Sequence, residues 1–95
     1  MSLVFQWDPK KSAANVRKHG ISFSEAMTAF QDPLARIHDD PDHSEEEHRE
    51  ILVGKSTSGR TCVVAFTARG LDVRIISARP ATRRERKDYE EALQL

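Results

Sequence analysis

Three β-prone runs in the second half of the chain constrain its fold most. Residues 49–56, 61–69 and 72–79 are rich in Val, Ile and Thr, and only short turns containing Gly59 and Gly70 separate them. Connections this short join antiparallel neighbours, because a parallel crossover needs a dozen or more residues. The sequence therefore predicts a three-stranded antiparallel meander.

The first half of the chain begins with a strand that leads into a helix. A short β-prone run ends at Asp8-Pro9, where the aspartate can cap a helix and the proline can occupy its first turn. The helix predicted over 10–19 stops at Gly20, a residue that commonly follows the last helical turn. The apolar residues that we expect to face inward are Ala13, Ala14 and Val16.

Two further helix starts are marked by capping-box spacing. A serine or threonine is followed three residues later by glutamate at Ser22–Glu25 and again at Thr82–Glu85. Asp32-Pro33 ends the second helix, and a short strand over Leu34–His38 follows it. The predicted fold class is α+β, with a small antiparallel sheet and the element order β-α-α-β-β-β-β-α in a single domain over residues 1–95.

Composition limits the class of protein. With 95 residues, the chain is long enough for one modest core and too short for two. Its only cysteine, Cys62, lies among apolar residues and offers no disulfide framework, which favours a reducing compartment. No run approaches the length of a membrane span, and the first residues lack the pattern of a signal peptide. We therefore expect a cytoplasmic protein without a membrane partner.

The net charge of zero conceals a strong segregation of charge. Residues 1–19 carry four basic side chains and one acidic, 20–50 two basic and nine acidic, and 51–87 nine basic and two acidic. An arginine-rich half suits a polyphosphate partner, because guanidinium groups match phosphate oxygens bidentately. A charged surface that is neutralised by the chain's own acids is the alternative.

Histidines are the next candidates for chemistry. His19 ends the first helix beside Lys18, and an imidazole is suited to proton transfer near neutral pH, although it can equally cap a helix. His38, His43 and His48 lie among carboxylates, but their spacing matches neither a helical His-x-x-x-His pair nor a Cys/His finger. We therefore predict no metal ligand and no cofactor.

Four arginines lie at strand ends and turns: Arg60, Arg69, Arg74 and Arg79. Strict alternation would place Arg79 on the same face as Val73 and Ile75, with Ala78 on the other. Arginines at one end of a small sheet can converge on a cleft that holds a phosphate. Ion pairing with the acidic segments is the competing interpretation.

Connected phrases along the chain resemble the BrnT toxin family, also catalogued as the domain of unknown function DUF497. The phrases of the first half are Phe5-Gln6-Trp7-Asp8-Pro9-Lys10, Asn15 to Phe23 with Glu25-Ala26, and Phe30-Gln31-Asp32-Pro33. Those of the second half are Arg49 to Gly54, Gly59-Arg60, Val63 to Thr67, Arg74 to Arg79, and Glu85-Arg86-Lys87 with Tyr89. Taken together, in this order and at this total chain length, the phrases are specific to the family.

The resemblance implies a RelE-like fold and a metal-independent endoribonuclease toxin that inhibits translation. It also implies a BrnA-type antitoxin with a ribbon-helix-helix part, which covers the arginine cleft and through which alone the complex binds operator DNA. The residues that it implies for the active site are Lys18, His19, Glu47, Arg49, Arg60 and Arg79, with Arg74 as a further candidate.

Those residue types suit RNA cleavage by the substrate's own 2′-hydroxyl, which needs proton transfer and cations for the charge on the phosphate. DNA lacks that nucleophile and would be spared. Because no aromatic-rich strand surface is visible, we expect little base readout. Two other functions remain open: a non-catalytic partner-binding module of the same fold, and a metal-dependent hydrolase that uses the acidic loop.

Overall fold

The chain forms a single sheet with helices before and after its strands. The structure, a computed structural model, describes residues 2–43 and 48–92. Its elements are β1 (Val4–Gln6), α1 (Pro9–His19), α2 (Phe23–Ala29), β2 (Arg36–Asp39), a 3₁₀ turn (Pro41–His43), β3 (Glu50–Lys55), β4 (Thr61–Arg69), β5 (Asp72–Pro80) and α3 (Arg83–Ala92). The predicted α+β class and element order are confirmed.

The five strands are arranged in the order β1-β5-β4-β3-β2. The predicted meander is present, since β3, β4 and β5 pair antiparallel in sequence, and β2 extends it at the β3 edge. β1 differs from its neighbours because it runs parallel to β5, with Phe5 opposite Val73. The sheet is therefore mixed and not antiparallel throughout as predicted, and the two helices that follow β1 belong to the long connection that parallel pairing requires.

One face of the sheet carries α1, α2 and the core. Its largest fully buried side chains are Phe23, Ile21, Leu52, Ile75, Val64 and Cys62. Gly54 lets α2 approach closely, because a Cβ there would lie 2.9 Å from the carbonyl oxygen of Ala29. The opposite side of the sheet is called the open face below. No helix in the described ranges is both long enough and apolar enough to cross a membrane.

Helix α1 docks through polar groups, contrary to the sequence prediction. Ala13, Ala14 and Val16 are exposed, whereas Asn15 is the buried residue of this helix. The Asn15 amide donates to the carbonyl oxygens of Ile21 and Ala78, each at 2.7 Å, and accepts from the Ala78 amide at 3.2 Å. Helix α1 is thus fixed to β5 by hydrogen bonds in place of an apolar stripe.

A β-bulge interrupts the alternation of β5. Ser77 lies opposite Ala65, but Ile75 lies opposite Phe66, so Ile76 is an extra residue on this strand. Ala78 therefore joins the core cluster, whereas Ser77 and Arg79 reach the open face. The prediction that Arg79 shares a face with Val73 and Ile75 is wrong, because the bulge reverses the phase of the strand.

Helix α3 starts with a complete capping box and lies beside β2 and β3. The Thr82 hydroxyl accepts from the Glu85 amide at 3.1 Å, and the Glu85 carboxylate accepts from the Thr82 amide at 2.8 Å. The buried Tyr89 hydroxyl donates to the Asp32 carboxylate, which ties this helix to the connection between α2 and β2. Helix α3 therefore forms a wall along one side of the open face.

Candidate active site

A solvent-open pocket of about 340 Å³ lies in the middle of the open face. Ile51, Val63 and Ala65 belong to neighbouring strands and supply its apolar surface. The charged and titratable residues that line it are His19, Asp40, Arg49 and Arg79. Three of the six predicted active residues are therefore brought to one pocket from α1, from the residue before β3, and from β5.

The fold places His19 at the pocket through the way in which α1 ends. Gly20 has a left-handed backbone (φ 75°) and donates to the Val16 carbonyl, which terminates the helix directly after His19. One turn earlier, Asn15 bonds to both backbone groups of Ala78, the residue before Arg79. The same amide therefore fixes the two elements that carry His19 and Arg79.

Arg79 lines the pocket and is held by a bidentate ion pair to Glu85, which lies outside the pocket lining. Its Nη1 and Nη2 donate to the two oxygens of Glu85 at 2.7 and 2.9 Å. The pair lowers the pKa of Glu85 to about 2, chiefly through the hydrogen bonds from Arg79, and raises the pKa of Arg79. Its Nε–H makes no hydrogen bond to the described residues, so this donor remains for a phosphate in the pocket.

Arg60 makes a second bidentate pair outside the lining of this pocket. Its Nε and Nη2 donate to the carboxylate of Glu25 at 2.7 and 2.6 Å, and Nη2 also donates to the Gly20 carbonyl at 2.7 Å. Hydrogen bonds from Arg60, Ser58 and Ser56 lower the pKa of Glu25 to about 2. Arg60 therefore lies next to the end of α1 and fixes the residue that follows His19.

The remaining predicted residues are distributed around the pocket. Lys18 is exposed on α1 and does not line it. Arg74 lines a neighbouring depression of about 550 Å³ together with Gln6 and Thr67. Glu47 lies outside the described residues, whereas Asp40 provides a carboxylate to the pocket that the sequence interpretation did not single out.

Asn15 is the other residue that sequence reasoning missed as part of the site. The signal was present in the spacing of three polar residues, Ser12, Asn15 and His19, which recur at helical intervals on α1. Ser12 accepts a hydrogen bond from the Phe23 amide at 3.1 Å, so this polar stripe faces the protein. A polar stripe on a short helix is thus the feature that predicts how His19 is oriented.

Part of the acidic loop also comes together. Asp39, His48 and Glu50 each place a potential ligand atom within 4.8 Å of the others, and His48 Nε2 lies 3.3 Å from Asp39 Oδ1. Asp39 and His48 are exposed. A direct contact between the imidazole and the carboxylate is one interpretation, and a shared bound cation is the alternative.

The fold and the pocket define a small α+β protein whose basic, solvent-open site suits a polyanionic substrate. A family model described as "Ribonuclease toxin, BrnT, of type II toxin-antitoxin system" matches residues 7–85, and the chain therefore belongs to the BrnT family. The resemblance drawn from the sequence is confirmed.

A solved structure supports the same fold. The 1.1 Å crystal structure of the ribonuclease toxin BrnT of Brucella abortus superposes with a TM-score of 0.59, covering 87% of this chain and 99% of that one at 22% identity. No curated protein sequence matches the chain. The five-stranded mixed sheet with three helices is thus shared with a toxin whose sequence has diverged widely.

Proposed function

We propose that the chain is a metal-independent endoribonuclease and that the pocket lined by His19, Arg49 and Arg79 is its active site. The observation that carries this proposal is that these three side chains, distant in sequence, line one pocket on the open face. Membership of a ribonuclease toxin family supports it. A RelE-like site would have the same combination of a proton-transferring group and arginines.

In this mechanism, the substrate's 2′-hydroxyl attacks the adjacent phosphorus and the bond to the 5′-oxygen breaks. His19 accepts the 2′ proton, and the departing 5′-oxygen takes a proton from water in the open pocket. Arg79, through Nε–H, and Arg49 stabilise the charge that develops on the phosphate oxygens. The products are a 2′,3′-cyclic phosphate and a 5′-hydroxyl end.

The other predicted residues have supporting roles in this proposal. Arg60 acts as a positioning residue, because it bonds to the Gly20 carbonyl and to Glu25. Lys18 and Arg74 contribute positive charge beside the pocket and guide the RNA backbone. Asp40, which lines the pocket with His19, supplies a carboxylate that orients the imidazole, and Glu47 stays a candidate from the family resemblance.

The toxin would act in the cytoplasm and be neutralised by a BrnA-type antitoxin that covers the open face. Operator DNA would bind through the ribbon-helix-helix part of that antitoxin. Co-purification with the product of the adjacent small gene tests the partner, and binding of operator DNA by the toxin alone at physiological salt would contradict this division of roles.

Incubation of the purified chain with total RNA, with and without EDTA, tests the activity. Cleavage that persists in EDTA and leaves 2′,3′-cyclic phosphate ends is expected. The Arg79→Ala variant should cleave about 10²–10³-fold less efficiently, whereas Lys87→Ala, which removes an exposed cation paired with Glu91 at 3.9 Å, should retain full activity. Absence of cleavage under all conditions would favour the non-catalytic alternative.

A metal-dependent hydrolase is the second candidate, favoured by the proximity of Asp39, His48 and Glu50. It predicts cleavage that EDTA abolishes and that added Mn²⁺ or Zn²⁺ restores. A His48→Ala variant distinguishes the two, because it removes a ligand of that group and leaves the three residues proposed for the metal-independent site.

A further inference from the structure

A second pocket on the open face lies between the sheet and α3. It has a volume of about 280 Å³, just below the range of roughly 300–1,000 Å³ that is usual for small-molecule sites. A space of this size suits one base better than a larger ligand. The residues that line it and matter here are Arg36, His38, Val53, Glu85, Asp88 and Tyr89. It is called the α3 pocket below.

The α3 pocket adjoins the active-site pocket through one ion pair. Glu85 lines the α3 pocket, and its bidentate partner Arg79 lines the active-site pocket. The two pockets are also adjacent across the strands, since Val53 of the α3 pocket pairs with Val63 of the active-site pocket. A nucleotide whose phosphate contacts Arg79 would therefore place its base on the α3 side.

The walls of the α3 pocket offer what an unstacked base requires. The Arg36 guanidinium and His38 imidazole are flat groups without a hydrogen bond or ion pair to the described residues. Single-stranded RNA bases stack on arginine planes as well as on aromatic rings. The absence of an aromatic-rich sheet, which predicted little base readout, therefore does not remove a stacking surface.

Asp88 is the hydrogen-bonding group of the pocket. It lies one helical turn after Glu85 on α3, and its carboxylate has no partner in the described residues. Glu85 differs, because its two oxygens already accept from Arg79 and from the Thr82 amide. Asp88 is thus the carboxylate that remains for a ligand.

We propose that the α3 pocket binds a guanine base adjacent to the scissile phosphate, with Asp88 accepting hydrogen bonds from guanine N1–H and the 2-amino group. The proposal rests on the proposed ribonuclease activity. Guanine presents two adjacent donors on its Watson–Crick edge, which match the two oxygens of a carboxylate. Adenine and cytosine present one amino donor beside an acceptor, and uracil presents one N–H between two carbonyls, so each would place an acceptor against Asp88.

Two measurements on the full chain test the pocket. Sequencing the ends produced from a random-sequence RNA reports base preference beside the cut, and calorimetric titration with 5′-GMP, AMP, CMP and UMP reports binding without cleavage. We expect guanine to be enriched next to the cut and GMP to bind most tightly. Asp88→Asn should reduce both preferences about tenfold, because the amide presents a donor to guanine.

Glu90→Gln is the matched control, since it removes one exposed carboxylate from the same helix without altering the α3 pocket. Its base preference and GMP binding should equal those of the wild type. An unchanged preference in Asp88→Asn with normal cleavage would overturn the pocket and leave the ribonuclease proposal intact. The base pocket would also be overturned if Asp88→Asn weakened only the binding of the antitoxin. The pocket would then be a protein-binding surface.

Failure of the ribonuclease proposal has a different signature. If the wild type cleaves no RNA but binds GMP selectively through Asp88, the base pocket survives and the proposed reaction is wrong. If the wild type neither cleaves RNA nor distinguishes GMP from the other mononucleotides, both proposals are overturned.

Discussion

Two bidentate arginine–glutamate pairs serve different parts of the molecule. Arg60 and Glu25 join residues 35 apart in sequence, and the Glu25 side chain retains only 17% exposure. Arg79 and Glu85 are six residues apart, and the Glu85 side chain is 33% exposed beside the active-site pocket. The comparison indicates that bidentate pairing by itself does not reveal whether an arginine supports the fold or the reaction.

The largest expected difference between the two pairs is in the rate of RNA cleavage. Arg79→Ala should lower kcat/KM for RNA cleavage by about 10²–10³-fold, because it removes a donor to the transition-state phosphate. Its melting temperature should fall only slightly, since the pair is partly exposed. Arg60→Ala should show the reverse pattern, with the larger loss of melting temperature and the smaller loss of rate. Equal losses of rate in the two variants would place Arg60 in contact with RNA.

His19 lies between the two pairs, because it lines the pocket of Arg79 and precedes Gly20, whose carbonyl accepts from Arg60. Replacing it tests the proposed proton transfer. His19→Ala should lower the cleavage rate about 10²-fold and flatten the pH–rate profile near neutrality. His19→Gln, which keeps a polar side chain of similar reach, should not restore the profile. A profile that is unchanged in His19→Ala would assign proton transfer to another group.

Asn15 tests how far the reaction depends on the fold, because its hydrogen bonds hold α1 against β5. Asn15→Ala removes three hydrogen bonds and leaves the carbonyl oxygens of Ile21 and Ala78 without this partner. We expect a loss of about 2 kcal/mol in the free energy of unfolding and about tenfold in cleavage rate. Thermal unfolding and single-turnover cleavage measure the two. Full activity in a destabilised variant would show that the alignment of α1 with β5 is not needed for the reaction.

The smallest effect expected is on acid stability. Both glutamates have a folded pKa of about 2 against an ordinary 4.5, so each favours the folded chain above pH 4.5 and loses that contribution as the pH falls towards 2. Glu25→Gln should lower the melting temperature at pH 7 by roughly 4–8 °C and Glu85→Gln by about half as much. Melting curves between pH 7 and pH 2.5 should be flatter for both variants than for the wild type. A wild-type curve without an acid decline would contradict the pairing.

Local sequence signals predicted the helices of this chain. The features that the sequence did not reveal depend on contacts between residues that are distant in sequence. Asp8 accepts from the Lys10 amide and Ser22 from the Glu25 amide, as the capping patterns indicated. The Glu25 side chain, however, leaves its own capping box for Arg60. These caps join residues two or three apart, but the partner of Glu25 depends on how the β3–β4 turn meets α2.

The site illustrates the same limit. His19, Arg49 and Arg79 were identified as candidates from a family resemblance, but nothing in their spacing places them in one pocket. That placement depends on the parallel β1–β5 pairing, on the Asn15 hydrogen bonds and on the bulge at Ile76. Burial of Asn15 in place of two alanines likewise requires knowledge of the Ala78 backbone groups it meets.

The bulge at Ile76 divides β5 into two stretches whose side chains are under different constraints. Before it, Val73 and Ile75 fill the core, and after it Ser77 and Arg79 face whatever occupies the open face. If Ile76 took part in strict alternation, without the bulge, Arg79 would turn beneath the helices and Ala78 would take its place on the open face. The register of this strand therefore matters to the pocket as much as its side chains do, because one residue inserted between Ile76 and Arg79, without a change in the bulge, would move Arg79 to the core face.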